Sequence, residues 1–191
     1  MQSVGKIYPE IDAKLRRWIA RQPMFFVATA PELGGHVNVS PKGPIDSLCV
    51  VDPHTIIYLD QIGSGAETLA HLRQNGRICV MLCAFQGPPR IVRLHGRGQV
   101  VLPGSDGYDA LHRQFDIAAI PGAEHATRAV IRIEVERIAD SCGYGVPLLA
   151  FEGQRPQAEA WVEHMHAKGA TALPEYSTAH NSESIDGMPA L

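Results

Sequence analysis

Two short pieces about twenty residues apart carry the side chains best suited to hold an anion. The first, Val37-Asn38-Val39-Ser40-Pro41-Lys42-Gly43, reads as a strand that ends on a hydroxyl and an ammonium. The second, Tyr58-Leu59-Asp60-Gln61-Ile62-Gly63-Ser64-Gly65-Ala66-Glu67-Thr68, reads as a strand that runs through glycines into a helix. An ammonium binds a phosphate as a point charge. Free backbone N–H groups at a helix start attract anions, and flanking glycines let a ligand come close. Ser64 and Thr68 would add hydroxyl donors. One phosphate could use both pieces at once. A third group is the basic face Arg93, His95 and Arg97, which suits either a cofactor's anionic group or cross-strand pairing with Glu134 and Glu136. Pairing is the better reading for Arg97 than for Arg93.

Other chemistries lack their residues. His164 and His166 are two apart on an expected helix and do not share a face, so no metal site is expected there. No Cys/His set has zinc-ligand spacing, and the chain carries no G-x-S-x-G or P-loop motif. The four cysteines, Cys49, Cys79, Cys83 and Cys142, include no C-x-x-C pair. Cys79 and Cys83 read as residues of one strand, roughly 13 Å apart at about 3.3 Å per residue, which is too far for a disulfide. They are expected to be small buried hydrophobes in a reducing compartment.

The 191 residues suit one domain with one sizeable core. A net charge of −3 argues against nucleic-acid or anionic-membrane partners, which call for a basic surface. No apolar run approaches the roughly 18 residues of a membrane span, and Met1–Lys6 lacks the apolar stretch of a signal peptide. A cytoplasmic location is the expectation.

These residues must be positioned by a mainly β chain with short helices. Pro9–Arg21 is expected as an amphipathic helix, with Ile11, Leu15, Trp18 and Ile19 on one face. Strands are expected at Met24–Ala30, His36–Ser40, Ser47–Val51 and Thr55–Asp60. Ser64-x-x-Glu67 matches a capping box opening a helix that Asn75-Gly76 closes. Arg77–Phe85 reads as a strand buried on both faces. Arg90–Val101 splits into an apolar face (Val92, Leu94, Gly96, Gly98, Val100) and a polar one, and its glycines suggest a bend or a close backbone approach. A helix at Ser105–Phe115, an alternating strand at Ala129–Arg137 and a helix at Gln157–Lys168 follow. From Gly169 onward the pattern shows no clear core face. There is no regular βαβ alternation, so an antiparallel barrel is favoured over a doubly wound fold.

The series Phe25-Phe26-Val27-Ala28-Thr29-Ala30, Val39-Ser40-Pro41-Lys42-Gly43, Tyr58-Leu59-Asp60, Gly63-Ser64…Glu67-Thr68-Leu69 and Val92-Arg93-Leu94-His95-Gly96-Arg97-Gly98 resembles the pyridoxamine 5′-phosphate oxidase-like family over roughly residues 8–140. The loop Ser141–Pro147 and the piece Ser184–Pro189 resemble a bacterial branch of it. The resemblance implies an FMN-binding antiparallel split β-barrel, spanning residues 1–150 with the N-terminal helix. Residues 151–191 would then form a C-terminal helix and tail packing on the same domain. It implies a homodimer with FMN at the subunit interface. It marks Ser40, Lys42, Tyr58, Leu59, Asp60, Ser64, Thr68 and Arg93 as candidate cofactor-binding residues. Within that set, Lys42 matches a flavin-contacting lysine, Tyr58–Asp60 a strand beside the isoalloxazine ring, and Ser64 a phosphate-contacting serine.

Two positions depart from the family pattern. Val37 stands where the oxidases themselves carry an arginine, and Gly65-Ala66 where they carry a basic pair. Oxidation of a vitamin B6 phosphate is therefore not the expected activity. The expected function is a flavin-dependent oxidoreductase acting on an unidentified small molecule, with no catalytic side chain assigned and no metal. The alternatives are a non-catalytic protein holding flavin, haem or another planar ligand, and a deazaflavin-dependent reductase.

Overall fold

The structure is a computed structural model that describes residues 5–191; Met1–Val4, part of the N-terminal stretch read above, lie outside it. Eight strands form one antiparallel sheet: β1 (Ile7–Tyr8), β2 (Phe25–Thr29), β3 (Asn38–Lys42), β4 (Leu48–Asp52), β5 (Thr55–Gln61), β6 (Arg77–Cys83), β7 (Ile91–Val101) and β8 (Thr127–Ser141). Their order is β3-β2-β6-β7-β8-β5-β4, and β1 pairs with the far end of β8. β8 is long enough to serve two neighbours on one side. Its first half pairs with β5, its last residues with β1.

The alternation read from the sequence sets the core. Val92 and Leu94 point inward from β7, and Ile131 and Ile133 from β8, to join Phe25, Val27, Tyr58 and Val80. β5 is buried on both faces. Ile56 and Tyr58 enter the main core, while Ile57 and Leu59 face a second cluster with Phe115, Ile120 and Val130. That second cluster lies under the segment of α3 (Tyr108–His112) and α4 (Ala123–Ala126). The glycines of β7 mark close approaches. A Cβ on Gly96 would sit 1.9 Å from the Glu134 carbonyl oxygen, next to the bulge between His95 and Gly96. Arg97 pairs with Glu136 at 3.5 Å, both 58% exposed, a contact of small energetic weight. All four cysteines are free, and burial pushes the Cys79 and Cys83 thiols up from their ordinary pKa.

Three helical expectations need correction. The first helix, α1 (Ala13–Ile19), starts four residues later than Pro9 because Asp12 caps it, accepting from the Leu15 N–H at 2.7 Å. The second, α2 (Glu67–Asn75), ends as expected on left-handed Gly76, but Ser64 does not cap it. The N-cap is Ala66, and the Glu67 carboxylate accepts instead from the Ile185 N–H at 3.4 Å. Long-range contacts to the turn before α2 override the local capping box. The third correction is the tail. Beyond α5 (Gln157–Ala167), a further helix, α6 (Ala172–Asn181), buries Leu173, Ser177 and Asn181 at i, i+4 and i+8. Two of those three are polar, so the face has helical spacing without the hydrophobic signal that reveals one. Ala126, Val162 and Leu173 cluster between α4, α5 and α6, with Ile62 against them.

Candidate functional site

The edge strand β3 comes round to face β5 and the start of α2, and polar side chains line that seam. Asn38, Ser40 and Lys42 share one face of β3 and are half-buried, while Val39 on the other face is 60% exposed. Ser40 Oγ donates to Asn38 Oδ1 at 2.7 Å. Asn38 Nδ2 in turn donates to Thr29 Oγ1 at 3.1 Å and Thr68 Oγ1 at 3.0 Å. Thr29 Oγ1 lies 2.9 Å from Nδ1 of His71, an imidazole fully buried in α2 whose Nε2 has no partner. Burial holds the His71 pKa below its ordinary value. These bonds tie β2, β3 and α2 together.

The charged half of the seam centres on Asp60, which is 1% exposed. Arg128, the second residue of β8, donates to Asp60 Oδ2 from Nη2 at 2.6 Å and from Nε at 2.9 Å. Lys42 Nζ lies 3.5 Å from the other oxygen, Oδ1. Two cations thus share one carboxylate, and one positive charge is left over at the seam. The Lys42 side chain is 26% exposed and looks onto a cleft of about 1910 Å³. Gln61 and Pro121 also border that cleft, as do Tyr144, Leu149 and Phe151 of the loop after β8.

Arg128 does a second job. Its Nη1 and Nη2 donate to the Gly65 carbonyl oxygen at 3.3 and 3.2 Å. A trans amide sets its C=O and N–H on opposite sides, so the Ala66 N–H of that same amide is turned away from Arg128. Among the described residues, the backbone N–H groups of Ser64, Gly65 and Ala66 find no acceptor. Ser64 itself is exposed. Open donors at a helix start, on a turn that the Arg128 guanidinium holds, fit the phosphate of a flavin mononucleotide.

The eight candidate residues separate into groups. Lys42 and Asp60 are in contact, Ser40 and Thr68 join through Asn38, and Ser64 lies on the turn that Arg128 holds. Tyr58 and Leu59 are enclosed in the two cores. The Tyr58 ring meets Phe25 edge-on at 5.7 Å, its hydroxyl is unpartnered, and burial pushes its pKa well above the ordinary value. Arg93 sits apart on the outer face of the sheet, donating to Ser141 Oγ at 3.1 Å. Sequence reasoning missed Arg128, Asn38, Thr29 and His71. No local signal singles out Arg128 among the charged residues of β8; the sequence's one hint is its partner, the lone charge Asp60 in otherwise uncharged β5.

The family model described as pyridoxamine 5′-phosphate oxidase matches residues 11–142. The chain belongs to that family. It is 40% identical over 197 residues to the pyridoxamine 5′-phosphate oxidase family protein ustO of Aspergillus flavus, an alignment covering 96% of this chain and 77% of that protein. The match therefore reaches beyond the family model into the tail. Among solved structures, HupZ of Group A Streptococcus is similar at a TM-score of 0.54 and 24% identity, over 67% of this chain and 91% of its own. A candidate pyridoxamine 5′-phosphate oxidase from Lactobacillus delbrueckii is similar at 0.51 and 16%, over 71% of this chain and 98% of its own. At those identities the likeness is one of fold, the family's split β-barrel. Among the described residues no helix is long and apolar enough to cross a membrane.

Proposed function

We propose that the chain holds FMN and serves as a flavin-dependent oxidoreductase for a small molecule, working as a homodimer. The observation that carries this reading is the seam itself. Lys42 and Arg128 share Asp60 beside a turn whose N–H groups are open. In this reading Lys42 supplies the mobile charge at the phosphate, and Ser64 supplies a hydroxyl and an N–H. Arg128 keeps the turn in place, and Asp60 holds both cations. Ser40 and Thr68 brace β3 against α2 through Asn38. Bound FMN would supply the hydride or electron chemistry, which no side chain of this protein has to provide.

The homodimer is supported by the cleft. At about 1910 Å³ it exceeds the roughly 300–1,000 Å³ of a small-molecule pocket. The loop along it leaves Tyr144 80%, Leu148 77% and Phe151 55% exposed. A second copy filling part of this space would cover those side chains. Sedimentation at micromolar concentration should give twice 20.7 kDa, and a mass near 20.7 kDa would remove this part of the reading.

The deciding measurement is the absorption spectrum of the purified protein. A flavin spectrum that bleaches anaerobically with NAD(P)H is the expected outcome. A coloured protein inert to every reductant would make it a binding protein. A colourless protein that takes up no added FMN would overturn the flavin reading.

A further inference from the structure

The polar contacts of the tail converge on one place. α6 ends at Asn181, which is 0% exposed, and its Nδ2 donates to the Gly63 carbonyl oxygen at 3.0 Å. The chain then forms a hook. Glu183 bridges to Pro189, the Ser184 N–H donates to the Met188 carbonyl, Ala190 is buried, and Met188 packs on the main core. From this hook the Ile185 N–H reaches Glu67, while Asp186 accepts from the His36 N–H at 2.8 Å and lies 2.7 Å from His36 Nδ1. The tail thus fastens the turn before α2, the first residue of α2 and the loop between β2 and β3.

The Gly63 contact has the same geometric consequence as the one Arg128 makes two residues on. The Gly63 C=O and the Ser64 N–H belong to one trans amide, so they point in opposite directions. With the oxygen tied to buried Asn181, the Ser64 N–H is turned outward from the body of the protein. Beside the Gly63 Cα there is room: a Cβ there would find only the Gln61 carbonyl oxygen, at 3.9 Å. Glycines on both sides of Ser64 would otherwise leave the turn many conformations. The two carbonyl anchors, Asn181 and Arg128, therefore set the turn, and with it where the free N–H of exposed Ser64 points. Arg128 lies inside the matched family region at residues 11–142; Asn181 lies outside it.

We propose that Asn181 is a positioning residue for phosphate binding: it holds the Gly63–Ser64 amide so that the Ser64 N–H is presented to the cofactor's phosphate. This rests on the FMN reading above.

The test is Asn181→Ala titrated with FMN and with riboflavin, which lacks the phosphate. FMN binding should weaken about tenfold, the equivalent of ~1.4 kcal/mol, with riboflavin held within about twofold. Equal losses for the two ligands would reduce Asn181 to a general structural role and overturn the proposal, as would no loss for FMN. Backbone NMR order parameters of the ligand-free variant should fall at Ser64 while those of β6 and β7 hold; an unchanged Ser64 also overturns it. If wild type binds neither ligand, the flavin reading fails, and the order parameters still decide whether Asn181 holds the turn. Should the variant not fold, the unaltered protein decides by titration with inorganic phosphate. The Ser64 amide resonance should shift most, and largest shifts elsewhere would overturn the proposal.

Discussion

Replacing Arg128 by methionine is expected to separate the two jobs of the seam. The guanidinium is 5% exposed and its partner carboxylate 1%. Removing one member of a buried pair costs about 3–5 kcal/mol, because the other charge is left without compensation. Lys42 stays 3.5 Å from Asp60, which puts the expected cost near the low end, about 3 kcal/mol. For a chain of about this length that corresponds to a Tm drop of roughly 6–12 °C. The double variant Arg128→Met/Asp60→Leu removes the stranded charge as well, and Lys42 can turn to the cleft. It should recover about 2 kcal/mol of the loss, since apolar replacement of a whole buried pair is often neutral. The remainder reflects the Gly65 carbonyl losing its donors, about 1 kcal/mol. Urea unfolding measures both, read as a shift in midpoint at constant m. A single-variant cost below about 1 kcal/mol would mean that water reaches the pair. Costs that simply add in the double variant would mean that Asp60 and Arg128 are not coupled.

Two further outcomes follow from the same contacts. Lys42→Ala should weaken FMN binding by roughly 10- to 100-fold, from about 1.5–3 kcal/mol for a charge-assisted bond. Riboflavin should change far less, and an equal loss for both ligands would place Lys42 at the ring instead. His71 is buried with its pKa held below the ordinary value of about 6.5, so the unfolded chain takes up the proton first. Stability is then complete above about pH 6.5 and declines as pH falls toward the folded-state value. His95 contributes in the same direction, through burial and then Arg137 and Arg93. Melting curves between about pH 7 and pH 5 should show this decline, and His71→Gln should flatten it; an unaltered slope in the variant would assign the effect elsewhere.

The strands were legible because their signal is local. β7 alternates, as does β8 from Ile131 to Glu136, and the burial of Val92, Leu94, Ile131 and Ile133 follows that pattern; at Arg128–Val130 both faces of β8 are buried. Gly96 and Gly98 were readable for the same reason, since a side chain at either would collide with β8 or with Leu72. The helix ends were less legible. Asp12 is an ordinary N-cap residue, but Pro9 competed with it as a start signal. The Ser64-x-x-Glu67 pattern was equally well formed locally. It failed because partners more than sixty positions away hold the turn around it: Arg128 at the Gly65 carbonyl and the Ile185 N–H at the Glu67 carboxylate.

The site was legible at its charges and not at its supports, and the reason is physical. An ammonium at a strand end, or glycines before a helix, declare what they can bind through their own chemistry. A positioning group acts through someone else's backbone. Arg128 and Asn181 each hold a glycine carbonyl, and neither needs a particular neighbour in sequence to do so. Two carbonyls tied on alternate residues fix the amides that follow them, and that arrangement arises only when β8 and α6 have both docked. The turn is therefore a product of tertiary structure, assembled from pieces that span residues 63 to 181. Loosening either anchor should blur the turn without touching any group that contacts the ligand. That separates Arg128 and Asn181 from Lys42, whose loss removes a charge but leaves the turn as it was.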